Sequence, residues 1–327
     1  MDFILQFKCL TLEDKYLFET YINKHNILSY EYTFPSLYLW RKLCNIKYAI
    51  LDDALIINKQ EEFKGPFFMQ PLGYKKEKLN SIIKKLMEIR KEYPSKYLFG
   101  DVNEEFINDI REYTDFNICS IKDIDDSEYI YSTKELIDLS GKKFHAKKNH
   151  YNKFVKNYNY EVKEINTPKI KSDCMELLKR WHSVKDEVDK ELVMETDAIN
   201  DVLCKLDILK LKTIAVYASP KTDSNVISNS STVNNESEEC KNVNNKIVAF
   251  SIGEKYANDT MANILVEKAD INYDGIYAFI NREFLTGHFS ETQFVNRQED
   301  TGSEGLRKAK QSYNPIRMEE KYLLNLK

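Results

Sequence analysis

The stretch FVNRQEDTGSEGLRKAKQSYNP, residues 294–315, decides the fold because it joins a strand, a polar loop and a helix in one short segment. An apolar pair opens it, and a dense run of hydrogen-bonding side chains follows. Thr301 and Glu304 stand in the T-x-x-E relation of a capping box, which predicts a helix that begins at about Gly302. The helical spacing predicts one stripe that faces the sheet, made of Leu306, Ala309 and Tyr313.

The polar loop between this strand and this helix is the first candidate for a functional site. Loops at the carboxyl ends of strands are where α/β sheets bind ligands. A helix cap and a solvated helix face explain Lys308 by itself, but not the whole polar set. The residues predicted to contact substrate are Asn296, Arg297, Glu299, Arg307 and Lys310, with Asp300 beside them.

A second polar strand end lies in MANILVEKAD, residues 261–270. A carboxylate at this position, such as Glu267, can deprotonate an amine or orient an ammonium group. Alternatively, Glu267 and Lys268 are an ordinary exposed strand end. The catalytic interpretation is favoured because this strand is predicted to join the same sheet as residues 294–299.

The third candidate is the basic helix GKKFHAKKNHYNKFVK, residues 141–156. Its spacing predicts one face made of Phe144, the stem of Lys148, Tyr151 and Val155. Like charges at i,i+4 weaken an isolated helix by roughly a few tenths of a kcal/mol per pair, so another group is expected to offset them. A tRNA phosphate backbone or lipid head groups would do so, and so would carboxylates of a neighbouring element. The residues predicted to contact an anionic carrier are Lys147, Lys148, Asn149 and Lys153.

The composition is that of a globular protein and disfavours several classes of function. The chain has 327 residues, 42% of them hydrophobic, and a net charge of −4, so no global field attracts nucleic acid. The lack of a long apolar run and of a convincing signal peptide predicts a cytoplasmic protein. Six cysteines without CxxC spacing and five histidines without a ligand pattern predict neither a disulfide framework nor a metal site. No tightly bound cofactor is expected.

Helices and strands alternate in the same order in the first and last thirds of the chain. Each third contains a hairpin, a third strand, a helix, a strand that opens on an acidic turn, and another helix; the first hairpin turns at Asp52 and Asp53. The order predicts two copies of one α/β (α+β) unit, an N-terminal domain at residues 1–130 and a C-terminal domain at residues 131–327. The Asn- and Ser-rich residues 219–246 are predicted to be a disordered insertion between two paired strands.

Together, the basic helix, the EKAD strand end and residues 294–315 resemble soluble relatives of the phosphatidylglycerol lysyltransferase C-terminal domain, over nearly the whole chain outside the insertion. That family is similar to the Fem-type aminoacyltransferases and other tandem GNAT (acyl-CoA N-acyltransferase-like) proteins. The resemblance implies two GNAT-like domains, each a mixed, mostly antiparallel twisted sheet flanked by helices. It also implies acyl transfer where the fourth and fifth strands of a unit, here residues 260–270 and 292–300, diverge.

The resemblance further implies a donor and roles for the candidate residues. The donor would be an aminoacyl-tRNA, and the acceptor an amine or hydroxyl on a small molecule, a peptide or a lipid head group. A backbone N–H of the fourth strand would polarise the acyl carbonyl. Arg297 and Arg307 would hold a phosphate. The residues implied to carry catalysis are Glu267 or Asp300, which would take the proton of the nucleophile, and Tyr313, which would return one to the leaving oxygen.

Two departures from the family patterns shape the alternatives. Acyl-CoA-dependent GNAT proteins carry an R/Q-x-x-G-x-G/A loop that cradles a pyrophosphate, whereas residues 270–281, DINYDGIYAFIN, hold the single glycine Gly275. The membrane domain of the lysyltransferases has no counterpart in this sequence, which favours a soluble or peptide acceptor over a lipid. The alternatives are a non-catalytic module that binds a small anion or RNA, and an acyl-CoA-dependent N-acyltransferase.

Overall fold

The chain forms one continuous sheet of twelve strands in the computed structural model, which describes residues 5–25, 27–92, 95–183, 190–221 and 245–327. Helices cover both faces of this sheet. No helix in the described ranges is long and apolar enough to cross a membrane.

The first half of the chain contains the predicted hairpin. Asp52 and Asp53 form its turn with φ of 50° and 66°, the left-handed conformation that a two-residue hairpin turn needs. Asn103 caps the last helix of this half, because its side chain accepts a hydrogen bond from the Phe106 N–H at 2.9 Å. The elements are β1 (Lys8–Cys9), α1 (Lys15–Ile22), α2 (Phe34–Trp40), β2 (Lys47–Leu51), β3 (Ala54–Glu61), β4 (Gly65–Phe68), α3 (Leu79–Glu92), β5 (Phe99–Val102), α4 (Glu104–Tyr113) and β6 (Ile118–Ser132).

The second half repeats this alternation with longer strands. The strands on either side of the predicted insertion pair antiparallel, as expected, and residues 222–244 of the insertion lie outside the described residues. The elements are α5 (Thr133–Asp138), α6 (His145–Asn157), β7 (Tyr158–Lys163), α7 (Pro168–Ser183), α8 (Lys190–Leu203), β8 (Lys212–Pro220), β9 (Lys246–Tyr256), β10 (Met261–Ala269), α9 (Ile276–His288), β11 (Phe294–Asn296), α10 (Glu304–Gln311) and β12 (Arg317–Leu326).

The two halves are repeats that exchange their last strands. In each half three antiparallel strands are followed by a helix, a strand parallel to the third one, a helix and a final strand. The final strand β6 pairs with β11 of the second half, β12 pairs with β5 of the first half, and β6 and β12 pair with each other. The predicted tandem GNAT-like fold is therefore confirmed, and the exchange makes it one sheet. The domain boundary at residues 130 and 131 stays a prediction.

Apolar clusters on the two faces of the sheet hold the repeats together. On one face, Leu37 of α2 shares a buried cluster with Leu177 of α7, Ile199 of α8 and Ile252 of β9. On the other face, α5, α6 and α9 pack against β8–β11. Because the first cluster contains side chains from both halves, the repeats cannot separate without exposing apolar surface.

A ladder of buried charges crosses the centre of the sheet. The Nζ of Lys59 lies 2.9 Å from Oε2 of Glu31 and 2.8 Å from Oδ2 of Asp101. The Nζ of Lys321 lies 3.1 Å from Oε1 of the same Glu31 and 3.4 Å from Oε1 of Glu128. All five residues are buried. Since Lys59 belongs to β3 and Lys321 to β12, this ladder joins the two halves through ion pairs whose partners cannot be lost singly without leaving a buried charge.

A tyrosine closes the gap between the parallel strands of the first repeat. Strands β4 and β5 pair at Phe68 and Phe99 and then diverge, and we call this gap the first fork. The hydroxyl of Tyr32 accepts a hydrogen bond from the Gln70 N–H at 3.1 Å and donates one to the Asp101 carbonyl oxygen at 2.9 Å. The first fork is thus bridged by a side chain of the protein itself.

We expect Tyr32→Phe to destabilise the chain by about 1–3 kcal/mol, because it leaves the buried Gln70 N–H without its partner. Urea unfolding measures the change. Tyr16→Phe is the control, since Tyr16 is 83% exposed and its replacement should cost nothing measurable. Equal unfolding midpoints for Tyr32→Phe and the wild type would show that the bridge contributes nothing.

Candidate functional site

The gap between the parallel strands of the second repeat is crossed by charged and polar side chains instead of by a tyrosine. Strands β10 and β11 pair from Met261 and Phe294 to Asn263 and Asn296. Beyond this pair β10 continues to Ala269 while β11 ends, and the register of β10 against β9 shifts between Ile264 and Val266. We call this gap the second fork. It lies at the carboxyl ends of two parallel strands, where the sequence predicts the site.

A buried ion pair crosses the second fork. The NH2 atom of Arg297 lies 2.7 Å from Oε1 of Glu267, and the two side chains are 13% and 9% exposed. Asn281 of α9 donates to Oε2 of Glu267 at 3.4 Å. Burial alone would lower the pKa of Arg297, but the Glu267 carboxylate, Tyr313 and Tyr131 together outweigh burial and raise the pKa. Arg297 therefore stays charged, and Glu267 can act as a base only when Arg297 releases it.

Two cations lie over the ring of Tyr313 at this fork. The guanidinium carbon of Arg297 is 4.5 Å from the centre of the Tyr313 ring, and the Nζ of Lys147 is 3.9 Å from it. Burial, together with the nearby Arg297 charge, lowers the pKa of Lys147 to about 8. The NH1 atom of Arg297 is buried without a hydrogen-bond partner in the described part of the chain. Two cations over one tyrosine ring, with a single carboxylate paired to one of them, favour an anionic ligand.

The predicted pair of arginines does not form. Arg307 donates from Nε and NH2 to Asp300 at 2.8 and 2.7 Å, and from NH2 to Asp125 at 2.6 Å. Asp300 also accepts from the Tyr129 hydroxyl at 2.6 Å. Burial would raise the pKa of Asp300, but the hydrogen bonds from Arg307, Tyr129 and the Gly302 N–H together outweigh burial and lower the pKa. Arg307 and Asp300 therefore brace the loop, and the cation near Arg297 is Lys147.

The helix after the loop is docked through a cation rather than through its apolar side chains. Ser303 caps it in place of Thr301, because Thr301 and Gly302 have φ of 49° and 78°, outside the helical region. Leu306, which was expected to face the sheet, is 41% exposed, and Ala309 is exposed as well; Tyr313 is buried as predicted. Lys310 is buried instead, and its ammonium donates to the carbonyl oxygens of Arg297, at 2.6 Å, and Glu299. Burial lowers the pKa of Lys310 to about 8.

Asn296 and Glu299 point away from the second fork into the charge ladder. Asn296 donates from Nδ2 to Oε2 of Glu128 at 2.5 Å, and Glu299 accepts from the Tyr30 hydroxyl at 2.8 Å. Burial raises the pKa of Glu128 to about 7. These contacts connect the fork to the centre of the sheet. They also engage the side chains of two residues that were predicted from the sequence to bind substrate.

The basic helix α6 turns a different lysine inward from the one expected. Lys147 is half-buried beside Tyr313, while Lys148 and Asn149 are exposed. Lys153 is also exposed and pairs with Asp274 at 2.8 Å. Lys147 and Lys148 are the i+3 and i+4 neighbours of Phe144, so both lie about one helical turn from it. Spacing alone therefore cannot decide which of the two lysines faces the protein, and the prediction chose Lys148. The structure thus brings Lys147, Arg297, Glu267 and Tyr313 together and leaves Lys148, Asn149 and Lys153 outside this cluster.

Two residues that contact the Arg297–Glu267 pair or its surroundings, Tyr131 and Asn281, were not among the predicted site residues. Tyr131 donates to the Lys310 carbonyl oxygen at 2.9 Å and lies 6.0 Å from the Arg297 guanidinium. It comes from β6, which the strand exchange brings beside β11. Asn281 contributes from α9. A pattern of helical or strand spacing cannot reveal Tyr131, because its placement depends on pairing between distant strands.

One group of carboxylates in the described residues has the spacing of metal ligands: Glu61, Asp101 and Asp126. Lys59 lies 2.7 Å from Glu61 and 2.8 Å from Asp101, and Lys64 lies 2.9 Å from Glu61 and also contacts Asp126. Ammonium groups already supply the positive charge at this place, so we assign no metal ion to it.

Comparisons with known proteins support the fold and the family. A family model described as phosphatidylglycerol lysyltransferase, C-terminal, matches residues 25–325. A conserved protein of unknown function from Bacteroides thetaiotaomicron has a similar structure, with 28% identity, a TM-score of 0.79 and coverage of 99% of this chain and 100% of that one. The structure of L-PGS from Bacillus licheniformis shares the fold at 14% identity, with a TM-score of 0.59 and coverage of 95% and 91%.

One curated relative is an uncharacterised protein of Mycoplasmoides gallisepticum, 24% identical over 202 residues. The alignment covers 61% of this chain and 56% of that relative, so the chain spans little more than half of the relative's length.

Proposed function

This chain belongs to the phosphatidylglycerol lysyltransferase C-terminal family, and from that premise we propose that it transfers an aminoacyl group from aminoacyl-tRNA to an amine or hydroxyl acceptor. The family and the fold point to an acyltransferase; the donor, the acceptor and the residue roles are the proposal. The observation that carries it is the pair of cations, Lys147 and Arg297, that lie over the ring of Tyr313 at the second fork.

An aminoacyl-tRNA suits this arrangement because it presents an acyl ester and a nearby phosphodiester together. The phosphate would bind between Lys147 and the unpartnered NH1 atom of Arg297 by charge-assisted hydrogen bonds. Because the same guanidinium holds Glu267, a phosphate that draws Arg297 toward itself would free the Glu267 carboxylate. Donor binding would therefore prepare the base.

The transfer then needs a nucleophile, a base, an acid and a donor to the oxyanion. The acceptor nitrogen or oxygen attacks the ester carbonyl carbon, and the bond from that carbon to the ribose oxygen breaks. A backbone N–H of β10 past Asn263 would stabilise the charge on the carbonyl oxygen. Glu267 would take the proton of the acceptor. Tyr313 would give a proton to the ribose oxygen, since burial raises its pKa and keeps it protonated.

The N-terminus of α9 supports a donor other than acyl-CoA. An acyl-CoA pyrophosphate would need the backbone N–H groups that precede this helix. A Cβ atom at Gly275, the cap of α9, would lie 2.0 Å from the carbonyl oxygen of His150 in α6, so α6 packs directly on this end of the helix. The glycine is explained by that close approach.

A parallel assay with two donors tests the proposal. The protein is incubated with tRNAs charged with labelled amino acids, or with labelled acyl-CoA, in the presence of a pool of small amines and hydroxyl compounds. We expect label to move to an acceptor from tRNA and not from acyl-CoA. Transfer from acyl-CoA alone would overturn the donor assignment, and transfer from neither donor would overturn the activity.

Lys147 should make RNA binding depend on pH. Its pKa of about 8 means that the ammonium is charged at neutral pH and loses its proton as the pH rises. The affinity for a short RNA ending in CCA should therefore fall by roughly tenfold between about pH 7 and 9 at constant ionic strength, measured by fluorescence anisotropy.

The matched control for this experiment is the neighbouring Lys148, which is exposed. Lys147→Met should flatten the pH dependence, while Lys148→Met should retain it. An unchanged slope in Lys147→Met would remove Lys147 from the anion site.

A further inference from the structure

Glu254 of β9 is a buried carboxylate without an ion pair. It is 6% exposed. Its Oε1 accepts hydrogen bonds from the Thr33 hydroxyl at 2.6 Å and from Nδ2 of Asn263 at 3.0 Å. No described residue donates to Oε2, and no described lysine or arginine lies within ion-pair distance of the carboxylate.

This isolation is unlike the rest of the buried acids in the sheet. Glu31, Asp101 and Glu128 each contact the ammonium of Lys59 or Lys321. A buried carboxylate without a counter-charge is unfavourable, because desolvation is not repaid by attraction. Burial accordingly raises the pKa of Glu254 to about 7.

Glu254 lies on the wall of a cleft where the two halves of the chain meet. The cleft has a volume of about 620 Å³, a size typical of small-molecule sites. The end of α1, the start of α2 and the hairpin between β9 and β10 form its walls. Its aromatic and apolar lining includes Ile22, Ile27, Tyr32, Phe34, Pro35 and Tyr256.

Among the charged residues that line the cleft, Glu254 is the one that is buried. Glu19 pairs with Lys15, and Lys255 lies 3.5 Å from Glu291. His25 accepts a hydrogen bond from the Gly73 N–H on Nε2, and burial lowers its pKa, so it is neutral at and above pH 7. The remaining charged residues on the rim are Lys24 and Asp259.

The cleft is separate from the second fork. Asn263, which holds Glu254, also donates to the Ser36 hydroxyl of α2 at 3.2 Å, so this pair faces α2. Glu267 contacts Asn281 of α9, which packs on the opposite face of the sheet. A ligand at Glu254 would therefore leave the fork unobstructed.

We propose that this cleft binds a small organic ammonium whose charged group lies against Oε2 of Glu254. A single carboxylate with an aromatic and apolar lining suits an ammonium on an apolar body. A divalent metal ion would need about six oxygen ligands, and hydrogen-bond donors already occupy the other oxygen of Glu254. The site does not depend on the proposed aminoacyl transfer.

Calorimetric titration with benzylamine and with its neutral counterpart benzyl alcohol tests the site. We expect saturable binding of benzylamine, at least tenfold tighter than that of benzyl alcohol. The affinity should rise between about pH 7 and 8, because more of Glu254 is ionised while the amine stays protonated.

The variant Glu254→Gln keeps an oxygen that can accept from Thr33 and Asn263 but removes the charge, and we expect it to lose benzylamine binding. Glu19→Gln, at the half-buried rim, is the control that should keep it. A thermal unfolding scan of each variant shows that it is folded. Benzylamine binding that is absent in the wild type, equalled by benzyl alcohol, or unchanged in a folded Glu254→Gln protein would overturn the proposal.

Discussion

Arg297→Met is expected to reduce aminoacyl transfer by about 100-fold or more and to destabilise the fold by about 3–5 kcal/mol. The stability loss follows from Glu267, whose carboxylate would stay buried after losing the guanidinium 2.7 Å away. The activity loss follows from the fork, where Arg297 is one of the two cations that we propose to hold the donor. Urea unfolding and single-turnover transfer assays measure the two effects.

A double variant separates these effects. Arg297→Met combined with Glu267→Gln removes both charges and leaves no buried ion, so stability should return to within about 1 kcal/mol of the wild type. Transfer should stay abolished, because the proposed base and the donor-binding cation are both gone. Arg317→Met is the surface control, since its pairing with Glu319 is partly exposed and should contribute less than about 1 kcal/mol.

Lys321→Met is expected to cost about 3–5 kcal/mol because one ammonium serves several buried carboxylates. Its Nζ lies 3.1 Å from Glu31, 3.4 Å from Glu128 and 4.0 Å from Glu299. No other described cation contacts Glu128, so Lys321→Met leaves that carboxylate without a counter-charge. Urea unfolding at fixed pH measures the loss.

The loss in Lys321→Met should shrink at acid pH. Burial already raises the pKa of Glu128 to about 7 in the presence of Lys321, and removing the ammonium raises it further. A carboxyl whose pKa is higher in the folded than in the unfolded protein destabilises the fold at high pH, and this cost disappears once the carboxyl is protonated. The free energy of unfolding of the variant should therefore approach that of the wild type as the pH falls from about 8 to 5.5. Lys122→Met, in the exposed pair with Glu320 on the same sheet, should cost less than about 1 kcal/mol at every pH. Equal losses in the two variants would contradict the buried ladder.

The order of elements could be predicted from the sequence, while the pairing of the last strands could not. The hairpin at Asp52 and Asp53 follows from local turn chemistry, and the repeat follows from the alternation of apolar patterns. The exchange of β6 and β12 is a choice between partners far apart in the chain. Strand periodicity is the same for either choice, so it carries no information about the partner.

The location of the site stays a prediction, and the arrangement of its side chains could not be predicted from the sequence, for a physical reason that α10 illustrates. Helical spacing predicts that Leu306 and Ala309 face the sheet, but the loop beside this helix presents the carbonyl oxygens of Arg297 and Glu299. Lys310 can donate hydrogen bonds to those oxygens and an apolar side chain cannot. The helix therefore packs with Lys310, rather than Leu306 and Ala309, facing the loop. Lys147 can likewise be identified only from its contact with Tyr313 in the folded chain. The sequence of the basic helix does not distinguish it from Lys148.

The most direct test of the central claim is single-turnover transfer of labelled aminoacyl groups from tRNA by the wild type and by the folded Arg297→Met/Glu267→Gln protein. The fork account predicts that the wild type moves label to an acceptor and that the double variant, with near-native stability, does not. Transfer at the wild-type rate by the double variant would contradict it and would move the reaction away from the second fork.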